Sequence, residues 1–264
     1  MSEPDNQIVS IPYERLSSVV DLVDIAGRIK ASTVVVAGGH RTEDLQLVES
    51  ARDHGIVKRI ILVGDKILIS RSVADLGIDI PEEDIIPAGD DETIAAKTVT
   101  LITQNVIDIV LKGGISTPVI NRHMLHVAVR PTVSLASIFD ASPIAGGRPM
   151  ILTDAGVTTV RNYGRLADII DNAVDVARVV MGIPWPRVAV LSANEKQIPS
   201  LQSTWLGARL AERKWPHAVV YGPLSFDLAT DPGSVAMKGS PFAADSVDAV
   251  GRGWILPSSA RPWR

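Results

Sequence analysis

The sequence predicts an α/β protein built on parallel sheets, and three observations predict it. Six short apolar runs each stop at a small or polar residue, helical patterns lie between them, and one glycine-rich stretch interrupts the alternation at 140–148. Strands apolar on both faces belong to sheets covered by helices on both sides. Ligands of such sheets sit beyond the carboxyl ends of the strands. The residues that follow each run are therefore the candidate functional edge.

The first run, Thr33 to Ala37, enters Gly38-Gly39-His40. Glycine there either lets backbone N–H groups approach an anion at a helix start or makes a tight turn. It is not a dinucleotide fingerprint, because the spacing of glycines and the acidic ribose ligand are missing. A helical pattern follows over Glu43–His54, with Leu45, Val48 and Ala51 on one face. The second run, Ile60 to Val63, enters Gly64-Asp65. A helix is expected over Glu92–Val106, where the acidic Asp90-Asp91-Glu92 start suits the helix dipole.

The third run, Ile107 to Leu111, enters Lys112-Gly113-Gly114-Ile115-Ser116-Thr117. One cation, two flexible glycines and two hydroxyls at a strand end suit a phosphate or pyrophosphate. The GK[ST] order of a P-loop is absent. Ser116-Thr117-Pro118 opens a helix to Leu125 as N-cap and first turn. His123 and His126 lie three apart there, without the carboxylate pattern that would support zinc. Arg130, ahead of a further apolar strand, offers a planar fork for an anion or is a surface arginine.

The small, turn-forming stretch Asp140–Arg148 predicts a division of the chain into residues 1–140 and 141–264. Beyond it, Met150 to Leu152 enters Thr153-Asp154. Asp154 either takes a proton from a ligand hydroxyl or caps the following helix. That helix has a clear period over Leu166–Met181. Val188 to Leu191 enters Ser192, with a further helix over Ser203–Glu212, and Ala218 to Tyr221 enters Gly222-Pro223-Leu224-Ser225-Phe226-Asp227. No Gly-x-Ser-x-Gly elbow surrounds Ser192, which argues against a hydrolase triad. Glu195, Asp227 and Lys238 complete a polar set. From about residue 245 the chain begins like a strand, then gathers Gly, Pro, Arg and Trp with no period. It reads as an atypical tail, either frayed or frame-shifted.

Composition narrows the classes. The 264 residues are 46% hydrophobic and 21% charged, enough apolar material for one large or two ordinary domains. A net charge of −4 without a basic stripe argues against nucleic acid. There is no cysteine, which removes disulfides and thiolate chemistry. The acidic start lacks a signal-peptide layout, and no uncharged apolar stretch is long enough to cross a bilayer, so a cytoplasmic protein is expected.

Taken together, the strings LKGGIST, LTDAGV, RVAVLSANE, PSLQST, GPLSFD and MKGSPFA, with Asn172-Ala173 in a helix, resemble the phosphate acetyltransferase and phosphate butyryltransferase family in order and spacing from about Thr33 to Ala243. The resemblance implies two parallel-sheet α/β domains with a cleft between them, as in isocitrate and isopropylmalate dehydrogenases. It implies transfer of a short acyl group between coenzyme A and inorganic phosphate. It further implies no nicotinamide, no obligatory metal, coenzyme A as substrate rather than cofactor, and a homo-oligomer. By the same resemblance Lys112, Gly113, Ser116, Thr117 and Arg130 would gather on the phosphate side. Asp154, Ser192, Asp227 and Lys238 would line the facing domain, and no catalytic residue is assigned.

Two departures are visible: Leu228 stands where the family carries Asn, and the family's closing strand and helix find no match after Ala243. They frame the alternative expectation, an impaired or truncated relative that binds acyl-CoA or acyl phosphate without turnover. A metal-dependent dehydrogenase of the same fold would need clustered aspartates, and the acids here are dispersed.

Overall fold

The computed structural model describes residues 15–142, 144–154, 157–158, 162–239 and the backbone of 254–257. The chain divides into two compact units, Leu22–Arg130 and a second made of Pro131 onward with the residues up to Asp21.

In the first unit four parallel strands lie in the order β3-β2-β1-β4: β1 (Ser32–Ala37), β2 (Val57–Gly64), β3 (Ile85–Pro87) and β4 (Ile109–Lys112). Successive side chains of a strand point to opposite faces, and here both faces are apolar. Val34, Val36, Ile60 and Leu62 pack with Leu45 and Val48 of α2 (Thr42–Asp53) and Ile69 of α3 (Lys66–Leu76). Val35, Ala37, Ile61 and Val63 pack on the other side. Their partners are Ile94 and Ala95 of α4 (Asp91–Thr103) and Ile120 of α5 (Thr117–Met124). Each Val, Leu or Ile side chain among them contributes about 1.5–3 kcal/mol when taken out of water, before entropic costs. Alternation thus fixes the sheet between two helical layers and leaves its carboxyl edge to the turns. α1 (Asp21–Gly27) precedes β1 and buries no residue.

α3 escapes the sequence reading because it follows β2 after a single residue. Asp65 caps it, accepting from Ile67 N at 2.8 Å and Leu68 N at 3.0 Å, and Gly77 ends it at φ 65°. Only Ile69 on it is buried, so its apolar period is faint.

The second unit has the strand order β5-β6-β9-β7-β8: β5 (Ala136–Phe139), β6 (Met150–Thr153), β7 (Arg187–Leu191), β8 (Val219–Leu224) and β9 (Trp254–Pro257). β6, β9, β7 and β8 run parallel. β5 is antiparallel to β6, with Ala136 opposite Thr153 and Phe139 opposite Met150. This pairing corrects the expected division at residue 140. Asp140–Arg148 connects two neighbouring strands of one sheet, and the Asp140 carboxylate accepts from Val19 N at 2.8 Å within the same unit. It also corrects the purely parallel expectation at one edge.

α6 (Tyr163–Val179) lies against β6 and β9 and buries Ile169, Ile170, Ala173 and Ala177. It begins earlier than its apolar period because Asn162 caps it, accepting from Arg165 N at 2.9 Å. α7 (Gln202–Glu212), α8 (Phe226–Thr230) and α9 (Pro232–Lys238) complete the described helices. Leu228, the departure from the family string, is buried with Leu224, Ala229 and Val235 in an apolar cluster. An amide there would have to find partners among carbon atoms. Within the atypical tail, the backbone of residues 254–257 forms a strand that fills the place between β6 and β7. The rest of the tail lies outside the described residues.

Candidate functional site

Each unit presents polar groups at the carboxyl edge of its sheet. In the first unit, β1 and β4 are neighbours and their terminal turns interlock. Gly113 N donates to Ala37 O at 2.9 Å, and Gly114 N donates to Gly38 O at 2.8 Å. Gly38 has φ 81°, a backbone region that favours glycine. The approach is close throughout. A Cβ on Gly113 would lie 2.7 Å from Gly38 O and 2.9 Å from Asp44 Oδ2, and one on Gly114 would strike the His40 ring. The glycines of both turns are therefore there to let backbone and side chains come near, whatever ligand they serve.

Lys112 ends β4 exposed, with its Nζ 3.3 Å from Gly113 O. Ser116 occupies the cap position of α5, makes no side-chain cap bond, and donates its backbone N–H to Asp91 Oδ2 at 3.0 Å. Thr117 is exposed as the first helical residue. Lys112, Gly113, Ser116 and Thr117 thus lie on one short turn between β4 and α5. Arg130 lies exposed beyond α5, outside any helix or strand, at the end of the unit. Asp44 was missed from sequence. One of its carboxylate oxygens is buried beside the turn without a hydrogen-bond partner. Its position in an ordinary acidic first turn of α2 gives no signal of this. His123 Nε2 lies 2.8 Å from Glu92 Oε2, and Arg122 also pairs with Glu92. The helical histidine is engaged in an ion-pair cluster between α4 and α5.

In the second unit, Ser192 N donates to Leu224 O at 2.8 Å, which ties the ends of β7 and β8 together. Ser192 is 6% exposed, and its Oγ lies 2.8 Å from Ser203 Oγ of α7. Ser203 was absent from the sequence-derived set, since a serine in a helical first turn looks like any other. Lys238 ends α9 and turns its Nζ to Asp227 Oδ2 at 2.8 Å and to Ser225 Oγ at 3.3 Å. The Lys238 ammonium, helped by the Ser225 hydroxyl, holds the Asp227 carboxyl below the usual carboxylate range. The Asp227 carboxylate in turn raises the Lys238 ammonium above its ordinary value, with Glu195 adding to the effect. Both side chains are about two-fifths exposed, so water screens the pair and its contribution to stability is small.

Asp154 follows β6 and is 1% exposed at φ 53°. Its Oδ1 accepts from Thr158 N at 3.0 Å, and its Oδ2 is buried with no hydrogen-bond partner. It does not cap α6, which has its own cap in Asn162. Asn172 of α6 donates from Nδ2 to Thr132 O at 2.8 Å and Ser134 Oγ at 3.0 Å, anchoring the segment that leads into β5. Asp154, Ser192, Asp227 and Lys238 therefore all belong to the carboxyl edge of the β6-β9-β7-β8 sheet. Among the described residues there is no group of three His, Asp or Glu side chains placed to hold a metal ion, and no helix is long and apolar enough to cross a membrane.

Comparison with known proteins returns one consistent answer. A family described as "Phosphate acetyl/butaryl transferase" matches residues 90–245, a span that includes both strand-end sets. A phosphate butyryltransferase of Clostridium acetobutylicum is 30% identical over 214 residues, covering 78% of this chain and 70% of the relative. A phosphate acetyltransferase of Rhizobium meliloti is 28% identical over 237 residues, covering 86% and 74%. Among solved structures, a branched-chain phosphotransacylase from Enterococcus faecalis V583 superposes with a TM-score of 0.63 at 26% identity, covering 85% of this chain and 79% of that one. A phosphotransacetylase from Streptococcus pyogenes, at 17% identity and TM-score 0.68, shares the fold over 91% of this chain and 82% of its own.

Proposed function

We propose a function from one premise: the chain belongs to the phosphate acetyl/butaryl transferase family. It is an acyltransferase that moves an acyl group between coenzyme A and inorganic phosphate. The carrying observation is the family match over residues 90–245, which takes in the Lys112 turn and the Asp227–Lys238 pair alike.

The reaction asks four things of a protein. A phosphate oxygen must meet a thioester carbonyl, and holding the two reactants together removes a large entropic barrier. Phosphate charge needs cations and N–H donors, for which this reading uses Lys112, the backbone of Gly113, the Ser116 and Thr117 hydroxyls, and Arg130. The oxyanion that develops on the carbonyl needs fixed donors, and the departing thiolate needs a proton or a positive charge. Ser192, Asp227, Lys238 and Asp154 are assigned to the acyl-CoA. Support for that assignment is their common place at one sheet edge and the unmet hydrogen-bonding capacity of Asp154 Oδ2. The chemistry transfers no electrons, so coenzyme A as substrate is the only organic carrier this reading requires.

The family resemblance extends the reading to a homo-oligomer acting in the cytoplasm. Large apolar side chains left at the surface, among them Val129, Met237 and Ile67, supply area that subunit contacts would cover.

A thiol-release assay tests the reading. Acetyl-CoA or butyryl-CoA with phosphate gives free coenzyme A, and hydroxylamine traps the acyl phosphate formed. Thiol release that does not depend on phosphate, or none with either thioester, overturns it. A ligand-induced rise in melting temperature without turnover would mark a protein that binds only.

A further inference from the structure

We propose that Arg148 and Arg15 form a binding site for a phosphate group at the amino edge of the β6-β9-β7-β8 sheet, the edge opposite the residues assigned to acyl-CoA. Both arginines belong to the second unit. Phe139 stands opposite Met150, the first residue of β6, so the 140–149 connection lies at that amino edge. Asp154, by contrast, follows the last residue of β6. The segment that carries Arg15 is tied to the same edge. Leu16 N donates to Met181 O at 3.1 Å, between α6 and β7, and Val19 N donates to Asp140 Oδ2 at 2.8 Å.

The connection curls back on the Arg148 side chain. Ala145, Gly146 and Gly147 take φ of 48°, 66° and 77° in succession, and Arg148 Nε donates to Ala145 O at 2.8 Å. Ala145 is buried, and alanine holds such a φ only at a cost. Arg148 Nη1 is buried with no hydrogen-bond partner, so the cation has lost water there and gained no acceptor. A guanidinium cannot shed its proton to escape that cost. Burial first, and then the like charge of Arg15, push the Arg148 guanidinium below its ordinary value. The acids of the two segments are engaged elsewhere. Asp140 accepts from Ser18 Oγ and Val19 N, and Asp21 accepts from Ser17 Oγ and Ser18 N. Among the described residues no carboxylate pairs with Arg148. Space lies beside the ion. Leaving out its chain neighbours, a Cβ on Gly146 would have nothing within 4 Å except Arg148 Nε, at 4.0 Å.

Arg148 and Arg15 repel each other, and a dianion offsets two positive charges where a carboxylate offsets one. A phosphate group carries about two negative charges at neutral pH and offers several acceptor oxygens to a guanidinium fork. Inorganic phosphate and the phosphate monoester of a nucleotide share this chemistry. Either one, bound here, fastens the segment of residues 15–19 to the 140–149 connection.

Hydrogen exchange of the amides of residues 144–148 tests the site, at constant ionic strength with chloride as the control anion. An anion that binds only the closed connection slows exchange there about tenfold when present at roughly ten times its dissociation constant. The probes are inorganic phosphate, coenzyme A and dephospho-coenzyme A. Slowing by inorganic phosphate assigns the site to the free anion. Slowing by coenzyme A and not by its dephospho form assigns it to the phosphate monoester. Arg148→Met keeps the apolar stem and removes the charged fork, so it is expected to weaken probe affinity about tenfold or more. If that variant does not fold, Arg15→Met replaces it, with affinity expected to fall in the same direction. Lys112→Ala, in the other unit, is expected to leave the slowing intact. No slowing by inorganic phosphate or coenzyme A overturns the site. So does equal slowing by chloride, slowing by coenzyme A and its dephospho form alike without slowing by inorganic phosphate, native affinity in the arginine variant, or loss of the slowing in Lys112→Ala. Phosphate-dependent thiol release is measured separately, and its absence overturns the acyltransferase reading alone.

Discussion

Gly38 and Gly114 meet backbone to backbone at the joined ends of β1 and β4. A Cβ on Gly38 would come to 2.5 Å from the Gly114 carbonyl carbon, and Gly38 holds φ 81°. Gly38→Ala therefore adds backbone strain to a steric clash that the buried sheet edge cannot relieve. The expected cost is about 2–3 kcal/mol, read as a melting temperature lower by several degrees. Alanine at 77 is a control for strain alone, since Gly77 has φ 65° and nothing within 4 Å of its Cβ position. Equal losses at 38 and 77 would refute the interlocking of the two turns.

That relationship also shows what the sequence carried and what it could not. The runs at 33–37, 60–63, 107–111, 150–152, 188–191 and 218–221 all became strands, because burial on both faces makes a strand continuously apolar. The longer helices were legible by period. α3 was hidden by its short link to β2 and its single buried side chain. The β5–β6 hairpin was read as a boundary because glycine-rich turns look alike whether they join strands or domains. The common turn of Lys112, Gly113, Ser116 and Thr117 was legible because they are consecutive or nearly so. Asp44, His40 and Ser203 acquire their meaning from through-space neighbours, and no spacing along the chain announces those.

Lys112 ends β4 at its glycine turn, and among the described residues its ammonium forms no ion pair: its hydrogen bond is to the Gly113 carbonyl. Lys112→Ala removes a charge-assisted contact to phosphate while leaving the turn's backbone bonds in place. The expected outcome is a KM for phosphate raised about tenfold or more, with KM for acyl-CoA little changed. Arg130→Ala is expected to move the same constant in the same direction. Unchanged phosphate saturation would remove the residue concerned from the site.

The Asp227–Lys238 pair sets its own pH window. The folded Asp227 pKa lies below its unfolded value, so its contribution is present above the unfolded value and fades as pH falls through the folded one. The folded Lys238 pKa lies above its unfolded value, so its contribution is complete below the unfolded value and fades as pH rises through the folded one. The pair is therefore intact across the whole neutral range and opens only at acid or strongly alkaline pH. In Lys238→Met the Asp227 carboxyl is expected to titrate at higher pH than in the native protein, followed by its side-chain NMR signal. A midpoint that stays put would show that Lys238 does not hold this carboxylate in solution.

Ser192 and Ser203 share one hydrogen bond, and their burial differs: Ser192 is 6% exposed while Ser203 is half-buried. Removing Ser203 strands a hydroxyl that water reaches poorly, whereas removing Ser192 leaves one that water can still serve. Ser203→Ala is expected to cost about 1–2 kcal/mol and Ser192→Ala less, because an unmet buried polar group carries its full desolvation cost. The double alanine variant then falls close to Ser192→Ala alone, with a coupling of about 1–2 kcal/mol in a denaturant-melt cycle. Additive losses would mean that the two hydroxyls do not depend on each other. The same cycle measured on KM for acyl-CoA separates packing from function. If Ser192 presents its hydroxyl to the substrate, Ser203→Ala changes KM in the native background and leaves it unchanged once Ser192 is alanine.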